Sequence, residues 1–231
     1  MKIFADSAKL EQIAKLVQLP YVKGFTTNPT IMRKDGVSDY EYFAKSMLHI
    51  IGDLPVSFEV FADEFSQMEV QARKVGSWGP NVYVKIPITN TKRESSCLLI
   101  KRLAEDRVKV NVTAVMALEQ IKETIWAMKN VDQGVISVLA GRIADTGVAP
   151  VPFMIEALKI IKDVNPRIEL LWASPRELLN IVEADRIGCD IITVSNEILS
   201  KLSLMGKDLF EYSLETVKMF YNDASSAGYT L

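Results

Sequence analysis

Eight short runs rich in β-branched and apolar residues punctuate the 231-residue chain, each separated from the next by a longer stretch. They span residues 2–5, 24–27, 56–60, 82–86, 108–114, 134–140, 168–173 and 190–194. Runs of this kind read as strands buried on both faces, the condition of parallel strands covered by crossover helices. Several intervening stretches, such as 118–126 and 153–161, repeat apolar residues at helical intervals. Strict strand–helix alternation over eight units predicts an α/β chain closed into a (β/α)8, or TIM, barrel. Hydrophobic residues make up 48% and charged residues 24%, enough for an ordinary core. No Gly/Ser/Pro-rich linker divides the chain, so one barrel domain over 1–231 is expected. Two helical stretches follow the last run, 196–204 and about 207–224. The second carries Leu209, Phe210, Leu214, Val217, Met219 and Phe220, more apolar side chains than one face of a barrel helix needs. That surplus is taken up either on a neighbouring subunit or inside the same chain.

Composition removes several kinds of function. The formal net charge is −2, and no basic run is interleaved with aromatics, which argues against a nucleic-acid partner. No apolar run approaches the roughly 18 residues of a membrane span. The start, Met1-Lys2-Ile3-Phe4-Ala5-Asp6, reaches an acidic residue after three apolar ones and offers no signal-peptide core, so a cytoplasmic location is expected. Cys97 and Cys189 lie far apart without a CxxC and read as reduced packing cysteines. His49 is the single histidine, set in an amphipathic helical pattern. A Ser-His-Asp triad or a histidine metal site therefore has almost no material to be built from, and neither metal nor cofactor is expected. Carbon–carbon bond chemistry would have to rely on lysine and carboxylates.

Lys85 is the one basic side chain in Val82-Tyr83-Val84-Lys85-Ile86-Pro87. An isolated ammonium is expensive to bury, and a lysine that sheds its proton becomes a nucleophile able to form a Schiff base with a carbonyl. The segment alone also allows a strand-end lysine that extends its head to water. The other polar residues that interrupt the runs gather at the same strand ends, where a barrel keeps its reactive groups. Asp6 closes the first run, Thr26 and Asn28 the second, and Glu59 lies near the end of the third. Asn111 and Thr113 share a face on the fifth, Ser137 and Arg142 follow on the sixth, and Ser174 and Arg176 lie just past the seventh. Taken singly, Asp6 or Ser7 could cap a helix, Asn28-Pro29 could be turn chemistry, and Ser174-Pro175-Arg176-Glu177 reads as a helix start with proline at its first position. Together, one nucleophile, two carboxylates and two arginines at one end of a barrel exceed what capping explains.

These residues also resemble a family. Asp6, Gly24-Phe25-Thr26-Thr27-Asn28-Pro29, Val84-Lys85-Ile86-Pro87, Asn111-Val112-Thr113, Ile136-Ser137-Val138-Leu139-Ala140-Gly141-Arg142-Ile143 and Ala173-Ser174-Pro175-Arg176 are similar, in order, to the motifs of the transaldolase family, in its branch of small transaldolases and fructose-6-phosphate aldolases. The resemblance implies that Lys85 forms a Schiff base with a ketose phosphate such as fructose 6-phosphate or sedoheptulose 7-phosphate. It implies that Asp6 moves the proton of the departing hydroxyl and that Glu59 and Thr113 hold a relaying water. Thr26, Asn28, Asn111 and Ser137 would then bind substrate hydroxyls, while Arg142, Ser174 and Arg176 would grip the distal phosphate. A homo-oligomer, in the form of a decamer of two pentamers, is implied as well. In the resemblance the transferase branch carries glutamate where Glu59 stands and an aromatic without a hydroxyl near Leu139, whereas the aldolase branch carries glutamine and tyrosine there. Glu59, Asn111 and Leu139 favour transaldolase. An aldolase-like enzyme that releases dihydroxyacetone, or a non-catalytic barrel that binds sugar phosphates, is the alternative.

Overall fold

A computed structural model of the chain describes residues 1–230. Each predicted run forms a strand: β1 Lys2–Asp6, β2 Val22–Thr26, β3 Val56–Glu59, β4 Val82–Pro87, β5 Val110–Val115, β6 Gly134–Val138, β7 Ile168–Trp172 and β8 Ile191–Ser195. Neighbours in sequence pair in parallel and β8 returns to β1, so the sheet closes into the expected barrel. The helices are α1 Leu10–Leu16, α2 Pro29–Lys34, α3 Tyr40–Ile51, α4 Phe65–Gly76, α5 Cys97–Glu105, α6 Leu118–Ala127, α7 Ala140–Ala144, α8 Pro150–Val164, α9 Leu179–Arg186, α10 Asn196–Ser200 and α11 Leu209–Ser226. Among the described residues, no helix is long and apolar enough to cross a membrane.

Local chemistry sets these elements. Asp39 opens α3 by accepting from the Tyr42 N–H at 2.9 Å, and α3 then buries Phe43, Ala44, Met47 and Ile51 along one stripe. Pro150 begins α8 where its missing N–H leaves no bond unmade. Strand alternation divides the apolar residues into two bodies. Ala5, Phe25, Phe58, Val84, Ile86 and Val112 face outward into the layer under the helices. Phe4, Val135, Leu171, Ala173 and Ile191, with Tyr83 and Leu139 against them, form a plug inside the ring. One step further along each strand, on the plug's parity, stand Asp6, Thr26, Glu59, Lys85, Thr113, Ser137 and Thr193. The plug is thus the floor on which the polar residues rest.

Four expectations need correction. The sixth strand stops at Val138, because Leu139 leaves extended geometry and residues 140–144 form α7. The fifth begins only at Val110, after a turn with Arg107 in the left-handed region. It also carries a bulge: Ala114 has φ 61°, and the register to β6 shifts between Val112 and Val115. The stretch 196–204 is α10 followed by a single 3-10 turn rather than one helix. The tail helix α11 starts at Leu209 behind an Asp208 cap and buries none of its residues. Phe210 is 88% exposed and Phe220 63% exposed, so internal packing of the tail is excluded in the folded chain.

Gly24 shows how tightly the plug is fitted. It pairs in register with Phe4, and a Cβ at this position would lie 2.6 Å from the Phe4 ring. Phe4 is 3% exposed and held among the plug residues, so its ring has nowhere to swing. Gly24→Ala is expected to destabilise the fold by about 1–3 kcal/mol through overpacking. Urea unfolding should show a lower midpoint with an unchanged slope.

Candidate functional site

The register of the sheet brings the reactive groups together. Glu59 on β3 pairs with Lys85 on β4, which in turn pairs with Asn111 on β5. All three therefore share one inward level. The Lys85 amine donates to the Thr27 carbonyl at 2.9 Å and lies 3.1 Å from a Glu59 carboxylate oxygen, with the residue only 8% exposed. The amine is buried as expected, and the parallel register sets the Glu59 carboxylate beside it. The end of β3 is pinned from outside by Tyr40 on α3, whose hydroxyl donates to the Glu59 carbonyl at 2.7 Å. Burial pushes that phenol well above its usual range.

Asp6, at the end of β1, receives the Thr26 hydroxyl at 2.7 Å on one oxygen and the Asn28 amide at 3.4 Å on the other. Its carboxyl is held above the ordinary range. Burial is the largest cause, opposed by the Lys85 charge and the Thr26 hydrogen bond and aided by the Glu59 charge. Asp6 is not a helix cap: α1 begins at Leu10, and at its start it is the Ser7 hydroxyl that accepts from the Lys9 N–H at 3.4 Å and donates to the Gln12 side chain at 2.9 Å. Asn28 is both things its sequence suggested. Its carbonyl oxygen caps α2 by accepting from the Ile31 N–H at 3.0 Å, while its amide turns to Asp6. Asn111 is fully buried, donates to the Ser57 hydroxyl at 2.9 Å and accepts from Ser137 at 2.6 Å.

The rim is assembled by a close approach. Gly141 in α7 faces the loop after β7, where a Cβ would fall 1.6 Å from the Ser174 carbonyl oxygen, so only glycine fits. Ser174 itself has φ 57°, a left-handed geometry that a serine holds only against strain. The reading of Ser174 and Pro175 as a helix start is corrected. α9 begins at Leu179, and the loop is closed instead by the Asn180 side chain, which accepts from the Arg176 and Glu177 N–H groups at 2.8 and 3.2 Å. Arg176 meets Asp145 through two donors, Nε at 3.0 Å and Nη2. Both partners are exposed, so the pair adds little stability. Its other guanidinium edge is left for an anion.

A cavity of about 790 Å³ opens above these groups. It is lined by Asp6, Thr26, Asn28, Glu59, Lys85, Thr113, Ser137, Arg142, Ser174 and Arg176, which is every predicted site residue except Asn111. Asn111 lies beneath the lining and reaches it through Ser137. Thr193 and Ser195 of β8 also line the cavity, and sequence reading passed over both. Ser57, beneath Asn111, was passed over too. Threonine is at home in strands, so Thr193 within Ile191-Ile192-Thr193-Val194 breaks no pattern. The signal that could have found it is its parity with the inward-facing Ile191. The chemistry of the cavity is polarised. An amine paired with a carboxylate occupies the closed end, and two guanidinium groups stand at the open end, an arrangement that can take a carbonyl group at one end and an anion at the other.

A family model described as transaldolase/fructose-6-phosphate aldolase matches residues 3–230. A protein of Dehalococcoides mccartyi named "Probable transaldolase" is 31% identical over 202 residues, covering 87% of this chain and 90% of the relative. One of Streptococcus agalactiae with the same name is 32% identical over 216 residues, covering 94% and 95%. Among solved structures, the 3-hexulose-6-phosphate synthase of Salmonella typhimurium superposes with a TM-score of 0.61 at 16% identity, over 87% of this chain and 91% of that one. That likeness concerns the fold alone.

The buried carboxyl of Asp6 yields a prediction on stability. Because its folded-state pKa is raised, the folded chain holds the proton more tightly than the unfolded chain does, and the ionised form weighs against folding once pH rises through that raised value. Asp6→Asn mimics the neutral carboxyl. It should stabilise the fold at neutral pH by about 0.5–2 kcal/mol while lowering activity, as removal of strained site groups commonly does. The gain should disappear below about pH 3.8, where both states are protonated. Thermal unfolding as a function of pH checks the sign.

Proposed function

Because the chain belongs to the transaldolase/fructose-6-phosphate aldolase family, we propose that it is a Schiff-base transaldolase, moving a dihydroxyacetone unit from a ketose phosphate to an aldose phosphate. The observation that carries this reading is the Lys85 amine, paired with Glu59 at the closed end of a cavity whose open end holds Arg142 and Arg176. Glu59, at 3.1 Å, takes a proton from the ammonium. The freed amine adds to the ketone carbon, and a nitrogen–carbon bond forms as the carbonyl oxygen becomes a hydroxyl. Glu59, with a water held by Thr113, returns a proton to that hydroxyl so that it leaves as water and an iminium remains. Asp6 then removes the proton of the hydroxyl on the far carbon of the bond to be broken. The carbon–carbon bond cleaves, its electron pair flows into the iminium to give an enamine, and the aldose phosphate departs. An acceptor aldehyde runs the same steps backward.

The remaining side chains have supporting parts. Ser137, oriented by Asn111, and Asn28 hydrogen-bond hydroxyls of the three-carbon fragment. Arg142, Ser174 and the free edge of Arg176 hold the phosphate, where a planar fork matches two oxygens. Leu139 and Leu171 line the cavity without a proton donor, which supports capture of the enamine by a second aldehyde over release of the three-carbon fragment. The exposed apolar face of α11 is the surface through which copies of the chain associate, in keeping with the decamer of two pentamers that the family resemblance implies.

Borohydride added with fructose 6-phosphate should fix a reduced three-carbon fragment on Lys85, and Lys85→Ala should abolish labelling and lower turnover by several orders of magnitude. Product formation from fructose 6-phosphate should depend on erythrose 4-phosphate. Free dihydroxyacetone appearing at full rate without an acceptor would assign the aldolase activity instead, and labelling of another residue would remove the mechanism.

A further inference from the structure

We propose that Thr193 is a positioning residue: it donates into the Thr26 hydroxyl, strengthening the hydrogen bond that holds Asp6 Oδ1 and leaving Asp6 Oδ2 as the oxygen that exchanges the substrate proton. The proposal rests on the Schiff-base reading above.

β8 lies beside β1, with Thr193 in register with Phe4, and its side chain shares the inward face and lines the cavity at 6% exposure. Its hydroxyl meets the hydroxyl of Thr26, which also lies 2.7 Å from Asp6 Oδ1. A threonine hydroxyl has one proton and two lone pairs, while a carboxylate can only accept. If Thr26 gave its proton to Thr193, a lone pair would face the Asp6 oxygen and a buried acceptor would lose its donor. The proton of Thr26 therefore points to Asp6, and the contact between the two threonines uses the proton of Thr193. The chain runs in one direction, Thr193 to Thr26 to Asp6 Oδ1.

Two consequences follow for catalysis. Oδ1 is already occupied by Thr26, whereas Oδ2 has only the long 3.4 Å contact from Asn28 and is free to meet a substrate hydroxyl. When Oδ2 takes the proton, Oδ1 is still an acceptor, so the chain need not reverse between the cleavage and condensation halves. The charged groups that bear on Asp6 inside the ring are Lys85 on β4 and Glu59 on β3. β2 and β8 present it with uncharged side chains, and the other charged residues lining the cavity, Arg142, Arg176 and Glu197, are exposed at its mouth.

Thr193→Val keeps the shape and removes the donor. Without that donor the Thr26 hydroxyl is less polarised and its hydrogen bond to Asp6 weakens, so burial is opposed less and the carboxyl holds its proton to higher pH. The expected result is a kcat lower by about tenfold, an acidic limb of the kcat/KM profile moved upward in pH, and a KM within about twofold of wild type. Thr193→Ser, which restores the hydroxyl, should recover both kcat and the limb. Thr193→Ala is measured in parallel, so that failure of one variant to fold leaves the other to decide. A wild-type kcat with an unmoved limb in the Val or Ala variant overturns the proposal, and so does a Ser variant no better than Val. Borohydride trapping with fructose 6-phosphate separates this from the reading beneath it. The variants should still trap ketose-derived carbon on Lys85, because iminium formation runs through Glu59. Absence of trapping in the wild type would instead remove the Schiff base.

Discussion

The pairing of Lys85 with Glu59 inside the ring is the constraint that the rest of the molecule serves. Two opposite charges on adjacent parallel strands, each largely withdrawn from water, are tolerable only if the strands hold register and the remaining donors and acceptors are satisfied. Register is held by the closed sheet, in which no strand has a free edge along which to slip. Satisfaction comes from the Thr27 carbonyl on the amine and from Tyr40, which anchors the backbone of Glu59. The apolar plug below excludes water from the floor, so the pair is approached from the mouth only. A proton moved between amine and carboxylate here changes two formal charges at once with little solvent to reorganise, which would suit the Schiff-base role proposed for Lys85.

The carboxyl on the opposite side of the cavity follows a different rule. Among the described residues Asp6 has no ion-pair partner within hydrogen-bond reach; it depends on hydroxyl and amide donors, so its protonated form gains from burial. The site therefore holds one carboxylate kept beside a cation and another biased towards its neutral form.

Much of this was legible in the sequence because strands announce themselves by what they exclude. Asp6, Glu59 and Lys85 are conspicuous against β-branched neighbours, and the alternation of runs and helices leaves little choice but a barrel. What stayed hidden was hidden for physical reasons. Thr193 and Ser57 are small and compatible with strands, so they interrupt nothing. The partner of Lys85 could not be read from its own segment, because the contact is made across β3 and β4, whose residues lie far apart in sequence. The short helix α7 was taken for strand because Leu139-Ala140 is apolar in either geometry. Its true course depends on Gly141 meeting the loop after β7. The aliphatic content of the tail marked it as surplus, but only coordinates place α11 away from its own barrel.

The contact of Gly141 with the Ser174 carbonyl ties together two loops that descend from different strands. Neither can drift independently: a residue with a side chain at 141 displaces the backbone that orients Ser174 and Arg176, and a remodelled loop after β7 abandons the only neighbour that tolerates it. Diversification of the cavity's outer end is thereby channelled away from this seam and towards the flanks, where the exposed Met116 and Glu197 line the opening.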